Sequence, residues 1–306
     1  MSGISQGGRS VCRTAGMFAD DQSISRVADI FQRVLRQMPS CHVTTSIAPR
    51  FPPIGTFLDF STTNEYIPKN SWRNLMAFKI AVSNQKGGTG KTTISVNIAA
   101  AFEAGGNRVA LIDADPQGTS VRWVTSGENT LPMTVLSLAP AGRGIGGEIK
   151  KQDAHFDVII VDCPGNLEDP RIASVLEVAD FCLVPLSPSP ADLYSTVAMI
   201  RMIESMRTVR NPGLSSALML NSVNGKTRMR EEILKILRAE EIGEHLLESQ
   251  ISQREVYRQT FALGTTIHHH NRYLRGLKEA RAEIEKLVTE MAQYIASTRD
   301  PGTAHG

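Results

Sequence analysis

Cysteine is scarce in this chain and shows no pairing pattern. Cys12, Cys41, Cys163 and Cys182 form no CxxC pair and no metal-ligand spacing, which excludes a disulfide scaffold or a zinc module. Cys163 and Cys182 lie in apolar runs and read as reduced, buried thiols. No apolar run reaches the ~18 residues that a membrane span requires. The first residues lack the apolar core of a signal peptide, so the expected location is cytoplasmic. An excess of charge of one sign is also missing. The formal net charge is +2, so any nucleic-acid footprint would have to be local. The run His268–His270 cannot turn three rings to one face of a regular element, and no metal is expected there. No internal repeat is visible.

The 306 residues, 41% hydrophobic and 21% charged, suffice for one large α/β domain with an appendage. Residues 1–75 read as that appendage. Ile24, Val27, Ile30, Val34 and Met38 recur at helical spacing, followed by a Pro-, Ser- and Thr-rich linker. An alternative start at Met76 would remove the appendage. From 76 to 300 strand and helix patterns alternate. "AFKIAVSNQ", "RVALIDAD", "FDVIIVDCP", "ADFCLVPLSP" and "SSALMLNSV" are near-continuous apolar strands, and "HLLESQIS" is a shorter one. Such runs with helices between them predict a doubly wound, mostly parallel sheet covered on both faces. A long terminal helix with Leu274, Leu277, Ile284, Leu287, Met291 and Ile295 as its stripe closes the domain, and residues 301–306 form a tail.

Within this pattern "NQKGGTGKTT" (84–93) joins a buried strand to a helix, the setting of a phosphate-binding loop. Glycines let the backbone N–H groups of Gly87, Gly88, Thr89 and Gly90 curl around an anion, and the helix dipole adds to the attraction. Lys91 is placed for the β- and γ-phosphates, Thr92 offers its hydroxyl to Mg²⁺, and Thr93 completes the turn. The ordinary loop would carry Gly at position 85. This chain has Gln85, followed by a second lysine, Lys86.

"KGGTGKTT" resembles the deviant Walker A motif of the ParA/MinD family of P-loop ATPases. The resemblance extends over roughly 77–270 and implies a P-loop NTPase fold that uses ATP and Mg²⁺. It implies that Lys86 reaches across an ATP-bound homodimer to the partner's phosphates. "LIDADPQGTS" is similar to the family's switch I segment. By that match Asp115 activates or positions the attacking water, with Gln117 close by and Asp113 supporting the Mg²⁺ shell. "FDVIIVDCPG" resembles Walker B, with Asp162 holding Mg²⁺ through water. Here Cys163-Pro164-Gly165 replaces the family's frequent Thr-Pro-Pro. Asn221, closing "LMLN", is implied as a hydrogen-bonding partner of adenine.

Family members bind DNA or membrane in the ATP state, and a partner protein triggers release by hydrolysis. For DNA, Arg254, Arg258, Arg272, Arg275 and Lys278 are the candidate phosphate contacts. Arg281 lies beside them, and Lys226, Arg228 and Arg230 lie upstream. The polar "STRDPGTAHG" end argues against a basic amphipathic membrane helix. Residues 1–75 offer one helix but no recognition helix. The reading is a nucleoid-associated partition ATPase that segregates plasmid or chromosome with a ParB-like adaptor. The alternative is a MinD/ParA-like positioning ATPase for protein cargo on the nucleoid or the membrane. A biosynthetic P-loop enzyme is disfavoured by Lys86 and "DADPQ".

Overall fold

The computed structural model of the chain describes residues 77–128, 130–225, 228–239 and 245–299. The expectations for residues 1–75, for the boundary at Met76 and for the tail at 301–306 lie outside these residues.

Among the described residues seven strands form one sheet. They are β1 (Phe78–Val82), β2 (Val109–Asp113), β3 (Thr134–Ser137), β4 (Val158–Asp162), β5 (Phe181–Leu186), β6 (Ser215–Val223) and β7 (Leu246–Ser252). Their order is β3-β2-β4-β1-β5-β6-β7, and every neighbouring pair is parallel. The helices between them are α1 (Lys91–Ala104), α2 (Thr119–Thr125), α3 (Ile145–Lys150), α4 (Pro170–Leu176), α5 (Pro190–Val209), α6 (Arg228–Ala239), α7 (Glu255–Ala262) and α8 (Leu277–Arg299), with a 3₁₀ segment at Ala139–Gly144. The mostly parallel sheet expected from the sequence is thus wholly parallel.

The strands are apolar without alternation because both faces are covered. Ala81, Ile159 and Val161 point to one core with Ile145, Val175, Leu193, Ile203 and Ile233. Their neighbours Ile80, Val82 and Ile160 point to the other, with Ile94, Ile98, Trp123, Val256, Ile284 and Leu287. This alternation of side-chain direction is the period of a pleated strand. The α3–α6 group covers the first face, and α1, α2, α7 and α8 cover the second.

Two boundaries depart from the sequence reading. The four-residue edge strand β3, half exposed along its length, has too little apolar signal to stand out. The terminal helix begins at Leu277, not before Leu274. Gly276 has φ +82, a left-handed conformation that interrupts the helix. Leu274 still packs against the second core from outside the helix.

Candidate functional site

The parallel register brings three carboxylates to the carboxyl edge of the sheet, where ligands bind in doubly wound folds. Asp113 and Asp162 end adjacent strands β2 and β4 and sit opposite each other, and Val82, the last residue of β1, is the other neighbour of Asp162. The loop that follows Val82 is the glycine-rich segment. Gly88 and Gly90 both have positive φ, 82° and 87°. Gly90 caps α1 without a side-chain hydrogen bond, and the first turn of α1 carries no acidic residue. The free N–H groups of that turn and the helix dipole are therefore directed at the loop's concavity.

Lys91 is buried, and its Nζ donates to the Lys86 carbonyl across the loop at 3.0 Å. Burial lowers its pKa from the ordinary lysine value, partly offset by Asp162, Cys163 and Asp115. Thr92 Oγ1 donates to Asp162 Oδ2 at 2.8 Å, and Ser95 Oγ, one turn further along α1, donates to Asp162 Oδ1 at 3.3 Å. Burial pushes the Asp162 carboxyl up to about 7; the Thr92 hydroxyl pulls it down, Asp113 pushes it up and Lys91 pulls it down. Both buried groups are thus displaced toward neutrality, as charges removed from water are. A polyphosphate beside Lys91 and a divalent cation beside Thr92 and Asp162 would restore the charged forms. This donor set fits Mg²⁺, a hard cation that keeps most of its waters and takes few protein ligands.

Asp115 is half-buried and close enough for its charge to act on both Lys91 and Asp162. Its Oδ1 accepts the Gln117 N–H at 2.9 Å. Asp113, the expected support of the Mg²⁺ shell, is held by backbone donors. Its two oxygens accept the N–H groups of Asp115 and Val121, each at 3.1 Å. It therefore ties down the loop that carries Asp115. Asn221 Nδ2 donates to the Thr89 carbonyl at 2.7 Å, so in this structure the amide meets the loop itself.

Lys86 is half exposed, and it forms an ion pair within its own chain with Asp192, whose side chain is 3% exposed. Asp192 lies in the first turn of α5. There Ser189 caps the helix by accepting its N–H, while its Oδ2 accepts the Ser187 N–H at 3.1 Å. The sequence reading did not single out Asp192. "SPAD" is a Ser-x-x-Asp helix start that could have pointed to it. Gly165 and Ser95 were also missed. A Cβ on Gly165 would lie 3.3 Å from Lys91 Nζ and 3.7 Å from the Gly87 nitrogen, so "CPG" turns tightly against the loop. Cys163 is fully buried, and burial pushes its thiol up to about 12, which keeps it a neutral thiol.

The structure divides the basic residues expected to face DNA. Arg254 is engaged by Glu283 at 2.7 Å, and Arg281 donates to the carbonyls of Ile267 and His270. Arg230 pairs with Gln250, and Lys226 lies outside the described residues. Arg258 is exposed, pairs with Glu255 at 3.3 Å, and lines a cavity of about 230 Å³ with Thr92, Thr93, Thr119, Trp123, Tyr257 and Phe261. Arg272, Arg275 and Lys278 stand exposed around Tyr273 at the entry to α8. His269 bridges Thr266 and Glu103, at 2.8 and 2.7 Å. No helix among the described residues is long and apolar enough to cross a membrane.

A glycine loop between a central parallel strand and a buried helix, with a Thr–Asp pair at its base, defines a P-loop nucleotide-binding domain. The family model for the CobQ/CobB/MinD/ParA nucleotide binding domain matches residues 80–266, and the chain belongs to this ParA/MinD family of P-loop ATPases. It is 35% identical to the Maintenance of carboxysome distribution protein A of Halothiobacillus neapolitanus, over 70% of this chain and 96% of that protein. It is 25% identical to the Chromosome-partitioning ATPase Soj of Thermus thermophilus, over 70% of this chain and 97% of that protein. The fold is shared with the ATP complex of a McdA from Cyanothece, at TM-score 0.60 and 15% identity, covering 71% of this chain and 97% of the other.

Proposed function

We propose that the chain is an ATP-driven positioning ATPase whose cargo is a large protein assembly. The observation that carries this reading is the 35% identity along 96% of the Maintenance of carboxysome distribution protein A of Halothiobacillus neapolitanus. The identity to Soj supports plasmid or chromosome partition as a second reading.

In either reading the working parts are the same. ATP takes the loop from Gly87 to Thr93, with Lys91 on its terminal phosphates. Thr92 and Asp162, paired at the base of the loop, would hold Mg²⁺, Asp162 through water. When bound, the cation would offset the charge that gathers on the transferred phosphoryl group, and Asp115 would orient the attacking water. Hydrolysis yields ADP and phosphate. The exposed ammonium of Lys86 leaves Asp192 and meets the phosphates of a second copy, so ATP is a condition for the dimer. Arg272, Arg275 and Lys278 give the dimer a cationic patch for duplex DNA on the nucleoid, without base recognition. An adaptor protein on the cargo stimulates hydrolysis and so releases the ATPase from DNA.

Cells lacking the gene distinguish the cargoes. The positioning reading predicts that carboxysome-like protein bodies cluster or are inherited unevenly while plasmid retention stays normal. Loss of plasmids or chromosomes with protein bodies evenly spaced would overturn it in favour of partition.

A further inference from the structure

We propose that Asn221 is a positioning residue for the phosphate loop, acting through the Thr89–Gly90 peptide and independently of the nucleotide base. The inference rests on the P-loop reading of residues 84–93. Three observations converge on it. The Asn221 amide is buried and donates to the Thr89 carbonyl at 2.7 Å. Gly90 leaves no space beside it, since a Cβ there would lie 2.0 Å from Asn221 Nδ2. The backbone that presents Asn221 is distorted. Ser222, the next residue, has φ 55 and is the one non-glycine residue with positive φ among those described. The register between β6 and β7 shifts on either side of Leu220 as well. A serine held in the left-handed region requires compensation from its surroundings.

The peptide geometry says what this contact does. In a trans peptide the carbonyl of one residue and the N–H of the next point in opposite directions. By holding the Thr89 oxygen, Asn221 turns the Gly90 N–H away from itself. An anion-binding loop needs its N–H groups inward and its carbonyls outward, because a carbonyl facing phosphate would repel it. The two internal contacts of the loop therefore differ in fate. Lys91 must leave the Lys86 carbonyl to reach a phosphate. The Asn221 bond satisfies an acceptor that phosphate cannot use, so it persists in the bound state. The role implied by family resemblance, hydrogen bonding to adenine, would act on the base alone.

A ligand without a base separates the two roles. Affinities of the full chain for Mg·ATP and for Mg·tripolyphosphate are measured by calorimetry in wild type and Asn221→Leu. The leucine is of similar size, brings no charge to the site and cannot donate to Thr89. Positioning predicts that tripolyphosphate binding weakens about tenfold, the scale of one buried hydrogen bond lost with its acceptor left unpaired, and that ATP weakens at least as much. A loss of less than about threefold for tripolyphosphate overturns the proposal, whatever happens to ATP. If Asn221→Leu does not fold, Asn221→Ala is judged by the same threshold. A wild-type chain that binds neither ligand overturns the phosphate-site reading itself, and the positioning role with it.

Discussion

Replacing Asp162 by asparagine should make the nucleotide-free protein more stable at pH 8 while removing its capacity for Mg²⁺-dependent hydrolysis. The carboxyl is fully buried, and burial raises its pKa from the ordinary 3.8 to about 7. As pH climbs from 3.8 toward 7, the unfolded chain releases this proton and the folded chain keeps it. Stability contributed by Asp162 is therefore complete below pH 3.8, declines through that window, and is gone above pH 7. A displacement of that size corresponds to roughly 4 kcal/mol. Asparagine has nearly the same shape, does not titrate, and can pair with the Thr92 and Ser95 hydroxyls that now meet Asp162. Urea denaturation without Mg²⁺ or nucleotide, from pH 4 to pH 8.5, checks this. Wild type should lose roughly 4 kcal/mol relative to Asp162→Asn across the window, and adding Mg·ATP at pH 8 should stabilise wild type far more than the variant. Parallel pH profiles for the two proteins would refute the claim that an uncompensated buried carboxyl waits for the cation.

Gly264→Ala should lower stability by about 2 to 4 kcal/mol, measured by the same denaturation at constant pH. Its φ is +58 and a Cβ would lie 2.0 Å from the Gly127 nitrogen, so backbone would have to move. Asp192→Asn should strengthen ATP-dependent self-association two- to fivefold by freeing Lys86 from a half-exposed ion pair, read by sedimentation velocity over a range of concentrations. The triple change Arg272→Ala, Arg275→Ala and Lys278→Ala should reduce the salt dependence of DNA binding by up to about 3 in the log–log slope, whereas Arg254→Ala, which removes the cationic partner of Glu283, should act mainly on stability.

What the sequence disclosed depended on how local the signal was. The loop from Gly87 to Thr93 is contiguous, so its glycines, its lysine and its place between strand and helix could be read directly. The buried strands announced themselves because a sheet covered on both faces has no polar side to interrupt its Val and Ile runs. Contacts between distant segments were less accessible. The loop motif and the family resemblance each sent Thr92 and Asp162 to Mg²⁺, but neither their direct hydrogen bond nor the pairing of Lys86 with Asp192 was foreseen, since no pattern around position 86 points to position 192. Charge was read least well. Arg254, Arg272, Arg275 and Arg281 look alike in sequence. Folding commits Arg254 to Glu283 and Arg281 to two carbonyls, and leaves Arg272 and Arg275 at the surface. Asp113 likewise ends a strand as Asp162 does, yet its oxygens are taken up by backbone N–H groups.

The central claim is that Lys86 makes ATP binding and dimerisation one event. Light scattering of the full chain with Mg·ATP and with Mg·ADP, for wild type and Lys86→Ala, tests it most directly. The account predicts a dimer for wild type with ATP alone, and a monomer for Lys86→Ala in both nucleotides although it still binds ATP through Lys91. A Lys86→Ala protein that dimerises with ATP as wild type does would contradict it.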